Sequence, residues 1–377
     1  MVVIPTYNER ANTEKMIEVL AEEFSKIKNQ EMLLLYVDDT SPDKTYEVVQ
    51  AKMKKYSWLY LLLNKEKKGL GVAYANGFKY AMETLKADYV MEFDADFQHR
   101  PEEIKDLLAK VDEGYEYIIG SRYIPGGSIP VEWDFRRKFL SVVGNWVARI
   151  GLLLPRVHDL TTGFKLTKVK GVLDKIDLDY LYSNSFAYKV QILGQAIQNG
   201  AKWVEVPINF MARTRGESKI IKNEMLETLR VIFLVQMNNP KIRKFLKFGT
   251  VGFLGYLVNA FFLWFFAGRA FPEWACWLAS TELAIINNFT LNNIWTFRAE
   301  KITGLGRIIY KFLQFNLTSA GALIIQTVLG TLGVRIFGPQ YRQLLLPLIV
   351  VFVVLPYNYL MYTLVIWKSL PAQAGKK

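Results

Sequence analysis

The chain has 377 residues, 51% of them hydrophobic, with 47 Lys and Arg against 35 Asp and Glu for a net charge of +12, and this composition excludes a disordered polypeptide. A single cysteine, Cys276, lies inside an apolar run, which excludes a disulfide-stapled scaffold and a cysteine metal site. Charge is unevenly spread: roughly the first 240 residues alternate charged and apolar segments, and the remainder gathers Phe, Leu, Trp and Ile into long runs.

Met1 runs directly into Val2, Val3, Ile4 and Pro5, which reads as a strand edge without a signal peptide, and the first strand is expected to have lost its opening residues. Short β-branched and aliphatic runs predict strands over 2–4, 32–37, 59–63, 89–93 and 117–120, with amphipathic segments between them. In the first such segment Thr13 is placed to cap a helix, and Met16, Leu20, Phe24 and Ile27 recur at helical spacing. Pro101 opens another, with Ile104, Leu107, Leu108 and Val111 turned inward. Such alternation predicts a parallel sheet covered on both faces, with ligands outside the carboxyl ends of its strands.

After Pro240, the stretches 248–268, 274–297, 312–334 and 343–367 each supply enough apolar residues to cross ~30 Å of hydrocarbon. Glu282 is the one charge within them, and it is expected to face Asn287, Asn292 or the bundle interior as a packing residue. The four form two pairs. Lys244-Phe245-Leu246-Lys247-Phe248 recurs as Lys311-Phe312-Leu313-Gln314-Phe315, and Asn288-Phe289 with Phe297 recurs as Asn358-Tyr359 with Trp367, which predicts a duplicated two-helix unit. Lys241, Arg243, Lys244 and Lys247 precede the first span, Arg298, Lys301, Arg307 and Lys311 separate the second from the third, and Lys368, Lys376 and Lys377 follow the fourth. Against only Arg269, Arg335 and Arg342 on the other side, this bias places the soluble part and the C-terminus in the cytoplasm of a plasma-membrane protein. It also accounts for the basic composition through lipid headgroups, without a nucleic acid partner. Within the soluble part, 139–154 and 226–237 are apolar enough to lie at the membrane interface, and the Gly- and Pro-rich loop 123–134 is placed to close over an acceptor.

The sharpest chemical signal is Phe93-Asp94-Ala95-Asp96-Phe97-Gln98 at a strand end. Two carboxylates two residues apart on an extended chain point the same way, and with the Gln98 amide oxygen they suit Mg2+ or Mn2+ holding a substrate diphosphate. Pro5-Thr6-Tyr7-Asn8-Glu9 and Val37-Asp38-Asp39-Thr40-Ser41-Pro42-Asp43 follow the first two strands, where Tyr7 offers a ring for stacking and Glu9 and Asp39 offer acceptors for ribose or base edges. Gly69-Leu70-Gly71 is not a dinucleotide fingerprint, because Tyr74 occupies the third glycine position.

Taken with Gly120-Ser121-Arg122-Tyr123, Arg137-Lys138, Asp159-Leu160-Thr161-Thr162-Gly163-Phe164 and Arg215-Gly216-Glu217-Ser218-Lys219, these motifs make the chain resemble the inverting nucleotide-sugar glycosyltransferases of GT-A fold, and among them the dolichol-phosphate mannose synthases. The apolar half resembles a GtrA-like membrane domain, down to Ile294-Trp295-Thr296-Phe297 at the end of its second span. The resemblance implies an α/β fold, a Rossmann-like mixed sheet with helices on both faces, followed by an all-α domain of four transmembrane spans. It divides the chain into a catalytic domain over 1–220, an interfacial helix and linker over 221–243, and a membrane domain over 244–377. The implied activity is transfer of mannose from GDP-mannose to dolichyl or another polyprenyl phosphate. Pro5, Tyr7, Glu9, Val37 and Asp39 would hold the nucleotide; Asp94, Ala95, Asp96 and Gln98 the metal and diphosphate. Arg122, Arg137, Arg213 and Lys219 are the catalytic candidates, with Arg122, Arg213 and Lys219 also reaching the donor, and Arg122, Arg137 and Ser141 binding the acceptor phosphate. No general base is implied, and His99 reads as a loop-shaping residue. Two other readings stay open: glucose transfer from a UDP donor to a polyprenyl phosphate, and a flippase or membrane partner for a lipid-linked sugar. A processive polysaccharide synthase is excluded, since no Arg-Trp pair occurs.

Overall fold

The computed structural model describes residues 1–212, 224–267, 269 and 273–367. The chain divides into two units, Met1–Asn238 and Asn239–Lys377.

In the first unit, strands β1 (Val2–Thr6), β2 (Leu34–Asp38), β3 (Leu59–Leu63), β4 (Tyr89–Glu92), β5 (Tyr117–Ser121), β6 (Lys165–Lys168) and β7 (Trp203–Pro207) form one sheet in the order β3-β2-β1-β4-β6-β5-β7. Alternation in β1 explains the layering. Val2 and Ile4 pack with Met16, Ile17, Leu20 and Phe24 of α1 (Arg10–Lys26), while Val3 on the opposite face packs with Ala73, Tyr74, Phe78 and Ala81 of α3 (Leu70–Glu83). Each such fully buried aliphatic side chain contributes about 1.5–3 kcal/mol. Helix and sheet approach so closely at Gly77 that a Cβ there would stand 2.8 Å from both Val3 and Val37 methyl carbons. The remaining helices of this unit are α2 (Thr45–Met53), α4 (Ile104–Asp112), α5 (Phe135–Gly151), α6 (Tyr188–Gln198) and α7 (Glu224–Asn238).

Two local expectations are corrected. Thr13 does not cap α1: Glu9 takes the cap position, and Thr13 lies inside the helix with its hydroxyl donating to the Glu9 carbonyl at 2.8 Å. The sheet is mixed, as the family resemblance implies, rather than the parallel sheet that the alternation alone predicts, because β6 runs antiparallel between β4 and β5. Neither β6 nor β7 stands out in the sequence. In β6, Lys-Leu-Thr-Lys carries two cations in four residues, yet Lys165 is wholly buried.

The second unit contains α8 (Pro240–Ala267), α9 (Glu273–Leu291), α10 (Leu305–Phe337), α11 (Arg342–Ile349) and α12 (Leu355–Met361). Among the described residues one helix, Pro240–Phe266, is long and apolar enough to cross a membrane, and a shorter apolar helix covers Val351–Ile366. Turns of π-helix interrupt this unit at Asn292–Thr296, Val350–Val354 and Tyr362–Ile366. The second precedes Pro356, whose missing N–H and ring loosen the preceding turn. The first and third lead into Phe297 and Trp367, whose rings stack at 4.4 Å and 3°. Beside that stack the Asn293 side-chain oxygen accepts from Ile302 N and Trp367 Nε1, at 2.7 and 3.1 Å, and Lys244 pairs with Glu300 at 2.8 Å.

Candidate active site

The carboxyl ends of β1, β2 and β4 each lead into a turn with a non-glycine residue in the left-handed region, Asn8 at φ 58°, Thr40 at 52° and Phe97 at 60°, with Lys44 at 61° a second after β2. Such backbone costs about 1 kcal/mol or more per residue, so the turns must be held by other bonds. Asp38 supplies them between β1 and β2. Its buried carboxylate accepts from Thr6 Oγ1 at 2.9 Å and from Ser41 N and Oγ at 2.8 and 2.7 Å, and Ser41 Oγ accepts from Asn8 N at 3.0 Å. Asp38 is therefore spent on the framework and its neighbour is left for a ligand. Asp39 accepts one bond, from Asn64 Nδ2 at 2.7 Å, and burial raises its carboxyl above the ordinary range despite that bond.

Pro5 and Val37 face each other in register across β1 and β2, and Val37 is fully buried in the core. The Glu9 carboxylate accepts from Asn12 Nδ2 at 3.1 Å. Lys67 Nζ stands 3.7 Å from the centre of the Tyr7 ring, so one face of the ring carries a cation.

After β4 the chain does not continue extended, as the carboxylate spacing predicts; it turns at Ala95–Asp96. Gln98 N donates to Asp96 Oδ1 at 3.1 Å, and Gln98 Nε2 donates to the Met211 carbonyl at 3.2 Å, which leaves the Gln98 amide oxygen for a ligand. Asp94, Asp96 and Gln98 present hard oxygen donors, and this set fits Mg2+ or Mn2+ completed by substrate oxygens. Among the described residues no group of three or more His, Cys, Asp or Glu competes with it. His99 is sealed at 1% exposure among Phe93, Phe164 and Phe210, its ring nitrogens have no hydrogen-bond partner among the described residues, and its Nε2 lies 3.6 Å from Asp94 Oδ2.

The predicted cations divide. Arg122 leaves β5 straight into a buried ion pair: Nε and Nη2 donate to the two Asp159 oxygens at 2.7 and 2.8 Å, and Nη2 also donates to Thr161 Oγ1 at 2.9 Å. Burial opposes both charges, yet the pairing wins, holding Asp159 below the usual carboxylate range and Arg122 above its own usual value. Arg137 lies in the first turn of α5, its guanidinium 4.1 Å from the centre of the Trp133 ring. Ser141, one turn further on, shares a 2.6 Å hydrogen bond with the Tyr123 hydroxyl. Arg213 and Lys219, with the motif 215–219, lie outside the described residues.

Behind these groups stand residues that no sequence motif singles out. Glu205 of β7 accepts from His158 N and Asp159 N at 3.0 and 2.9 Å, and Asn145 of α5 accepts from Leu160 N at 2.8 Å. Phe210 touches His99, Trp133 and the Arg122 guanidinium at once. None forms a motif with its partner, so no sequence signal marks them. On its outer side α5 exposes Phe135, Phe139, Trp146 and Ile150, and α7, packed beside it, exposes Met225, Leu226 and Phe233.

A mixed sheet whose strand ends bring a carboxylate turn beside paired and stacked cations is the framework of a glycosyltransferase. The glycosyl transferase family 2 profile matches residues 1–173, and that of the GtrA/DPMS transmembrane domain matches 247–367. A dolichol-phosphate mannosyltransferase of Pyrococcus furiosus is 36% identical over 87% of this chain and 88% of its own. A polyprenol monophosphomannose synthase of Mycolicibacterium smegmatis is 36% identical over 61% of this chain and 83% of its own; an undecaprenyl-phosphate mannosyltransferase of Micrococcus luteus is 35% identical over 58% and 86%. The chain belongs to glycosyl transferase family 2, as a member joined to a GtrA/DPMS transmembrane domain.

Proposed function

We propose that this enzyme transfers mannose, with inversion, from GDP-mannose to dolichyl or a related polyprenyl phosphate at a membrane surface. The observation that carries the reading is the double character of α5. The helix bearing Arg137 and Ser141 also exposes Phe135, Phe139, Trp146 and Ile150, at 82, 54, 56 and 65%, so groups suited to a phosphate and a surface suited to its lipid share one element. The named activities of the three relatives support the same acceptor class and sugar.

The acceptor phosphate loses its second proton near pH 6, so it attacks as a ready-made nucleophile. Its oxygen forms a bond to the anomeric carbon from the face opposite the nucleoside diphosphate, which departs with the electrons of the broken carbon–oxygen bond. Arg122 and Arg137 hold the attacking phosphate in line, and Asp39, Glu9 and Tyr7 hold the nucleotide. Mg2+ or Mn2+ on Asp94, Asp96 and Gln98 would supply positive charge to the leaving diphosphate. His99 is not the base in this scheme, being sealed in aromatic rings. In the second unit the apolar stretches cross the membrane four times, with the catalytic unit and the C-terminus on the cytoplasmic side of the plasma membrane, where flanking Lys and Arg place them.

Purified protein incubated with polyprenyl phosphate and a panel of nucleotide sugars tests the reading, with the product identified by mass spectrometry. Mannosyl-phosphoryl lipid formed only from GDP-mannose is expected. Glucosyl product from UDP-glucose would replace the donor, and no lipid product from any donor would overturn the proposal.

A further inference from the structure

The loop 157–164 is tied to Arg122, to α5 and to the Asp94 turn, and the transfer chemistry above assigns it nothing. Its first anchor is Glu205, whose carboxylate accepts from His158 N and Asp159 N and meets His158 Nδ1 at 2.7 Å. So fixed, the Asp159 carboxylate accepts from Arg122 N, Nε and Nη2 at 3.0, 2.7 and 2.8 Å, and from Thr162 N at 3.1 Å. Thr161 Oγ1 takes the second Nη2 hydrogen and also accepts from Asn145 Nδ2 at 3.2 Å, which brings α5 into the same network. At the far end of the loop, Gly163 presses on the metal-binding turn: a Cβ there would stand 2.7 Å from Asp94 Oδ2 and 2.5 Å from Lys189 Nζ.

This arrangement spends three guanidinium hydrogen bonds on one edge and leaves Nη1 without a hydrogen-bond partner among the described residues. We propose that Asp159 is a positioning residue for sugar transfer: it fixes Arg122 edge-on, so that Nη1 alone meets the acceptor phosphate, while its loop holds that cation in register with Asp94. The inference rests on the proposed acceptor. A guanidinium held by a planar two-pronged contact loses little freedom when the phosphate arrives, which is where the advantage over a free surface arginine lies.

The full-length protein tests it through Asp159→Asn, which keeps the shape and removes the charge. KM for polyprenyl phosphate is expected to rise about 10-fold while KM for the nucleotide sugar stays within about twofold, since only the acceptor contact is released. In an Arg122→Ala background the same change is expected to add less than about twofold, because the two residues act as one unit. Thr161→Val, which removes a neutral partner of Nη2 and should fold even if Asp159→Asn does not, is expected to move KM for the acceptor the same way by about threefold. Equal shifts for both substrates, multiplying losses in the double variant, or an unchanged acceptor KM in folded Thr161→Val would overturn the proposal. Calorimetry with a short-chain polyprenyl phosphate and no donor separates this idea from the transfer reading: if the wild type transfers no sugar, the transfer reading fails, whereas weaker phosphate binding in Asp159→Asn still supports the anchoring of Arg122, and equal binding refutes it.

Discussion

The donor side and the acceptor side of the site are built by opposite means. Around β1, β2 and β4, the groups proposed for nucleotide and metal are carboxylates and an amide; Asn64 donates to Asp39, and Thr6 and Ser41 donate to the framing Asp38 beside it. Around β5 and α5 they are guanidinium groups, one locked to Asp159 and the other stacked on Trp133. The difference follows from solvation. A carboxylate that must take a cation has to keep lone pairs unspent, whereas a buried arginine awaiting a phosphate must already be neutralised, or its desolvation would expel it from the site.

The largest expected effect breaks the donor side. Asp96→Ala removes one oxygen donor from the turn proposed to hold the metal and should lower turnover about 1000-fold, with the folded chain intact by circular dichroism. Excess chelator should do the same to the wild type; full activity in chelator would show that the carboxylates serve another purpose. On the acceptor side, Arg137→Ala should cost about 100-fold, and Arg137→Lys should recover only part of it, since a point charge neither stacks on Trp133 nor makes two parallel contacts with phosphate oxygens. Complete rescue by lysine would mean that charge alone matters there.

A smaller effect belongs to the place where the two sides touch. Gly163→Ala puts a methyl group against Lys189 Nζ, Asp94 Oδ2 and, at 3.3 Å, His99 Nε2. Those are side-chain ends that can yield, so the fold should survive, while kcat/KM drops about 10-fold and the divalent ion needed for half-maximal rate increases. An unchanged metal requirement would show that the loop does not bear on Asp94.

How much of this was legible in sequence divides along the same line. The donor motifs are local: Thr6 to Glu9, Asp38 to Asp43 and Asp94 to Gln98 each sit within one strand end, so residue types and position announce them. The acceptor network is not local. Arg122 and Asp159 are 37 residues apart and Glu205 bonds Asp159 across 46, and pairs at such separations leave no spacing to read. The five expected strands all appear, with ends shifted by a residue or two, because apolar runs mark fully buried strands. β7 escaped because Trp-Val-Glu-Val-Pro offers only two aliphatic residues and its Glu205 faces a loop rather than water.

The strand that separates the two sides, β6, also escaped, and Lys165 is the reason. Its side chain is wholly buried between β4 and β5, and Nζ donates to the carbonyls of Leu160 and Lys189 at 3.3 Å each. Burial lowers its pKa from 10.5 to about 8, with Glu92 opposing the shift and Lys189 adding to it. Between those two values the unfolded chain keeps a proton that the folded protein has released, so the unfolded state binds more protons and stability rises with pH across the window. Below about pH 8 both states are protonated and the folded state carries the full cost of the buried charge, on the order of 3 kcal/mol relative to pH above 10.5. Lys165→Met fills the same volume without a charge, so its melting temperature should exceed that of the wild type most at pH 7, with the gap narrowing as pH rises through 8 towards 10. Thermal unfolding of both proteins from pH 7 to 10 measures this directly. A gap that stays constant would show that Lys165 keeps its proton throughout, with Glu92 neutralising it inside the sheet.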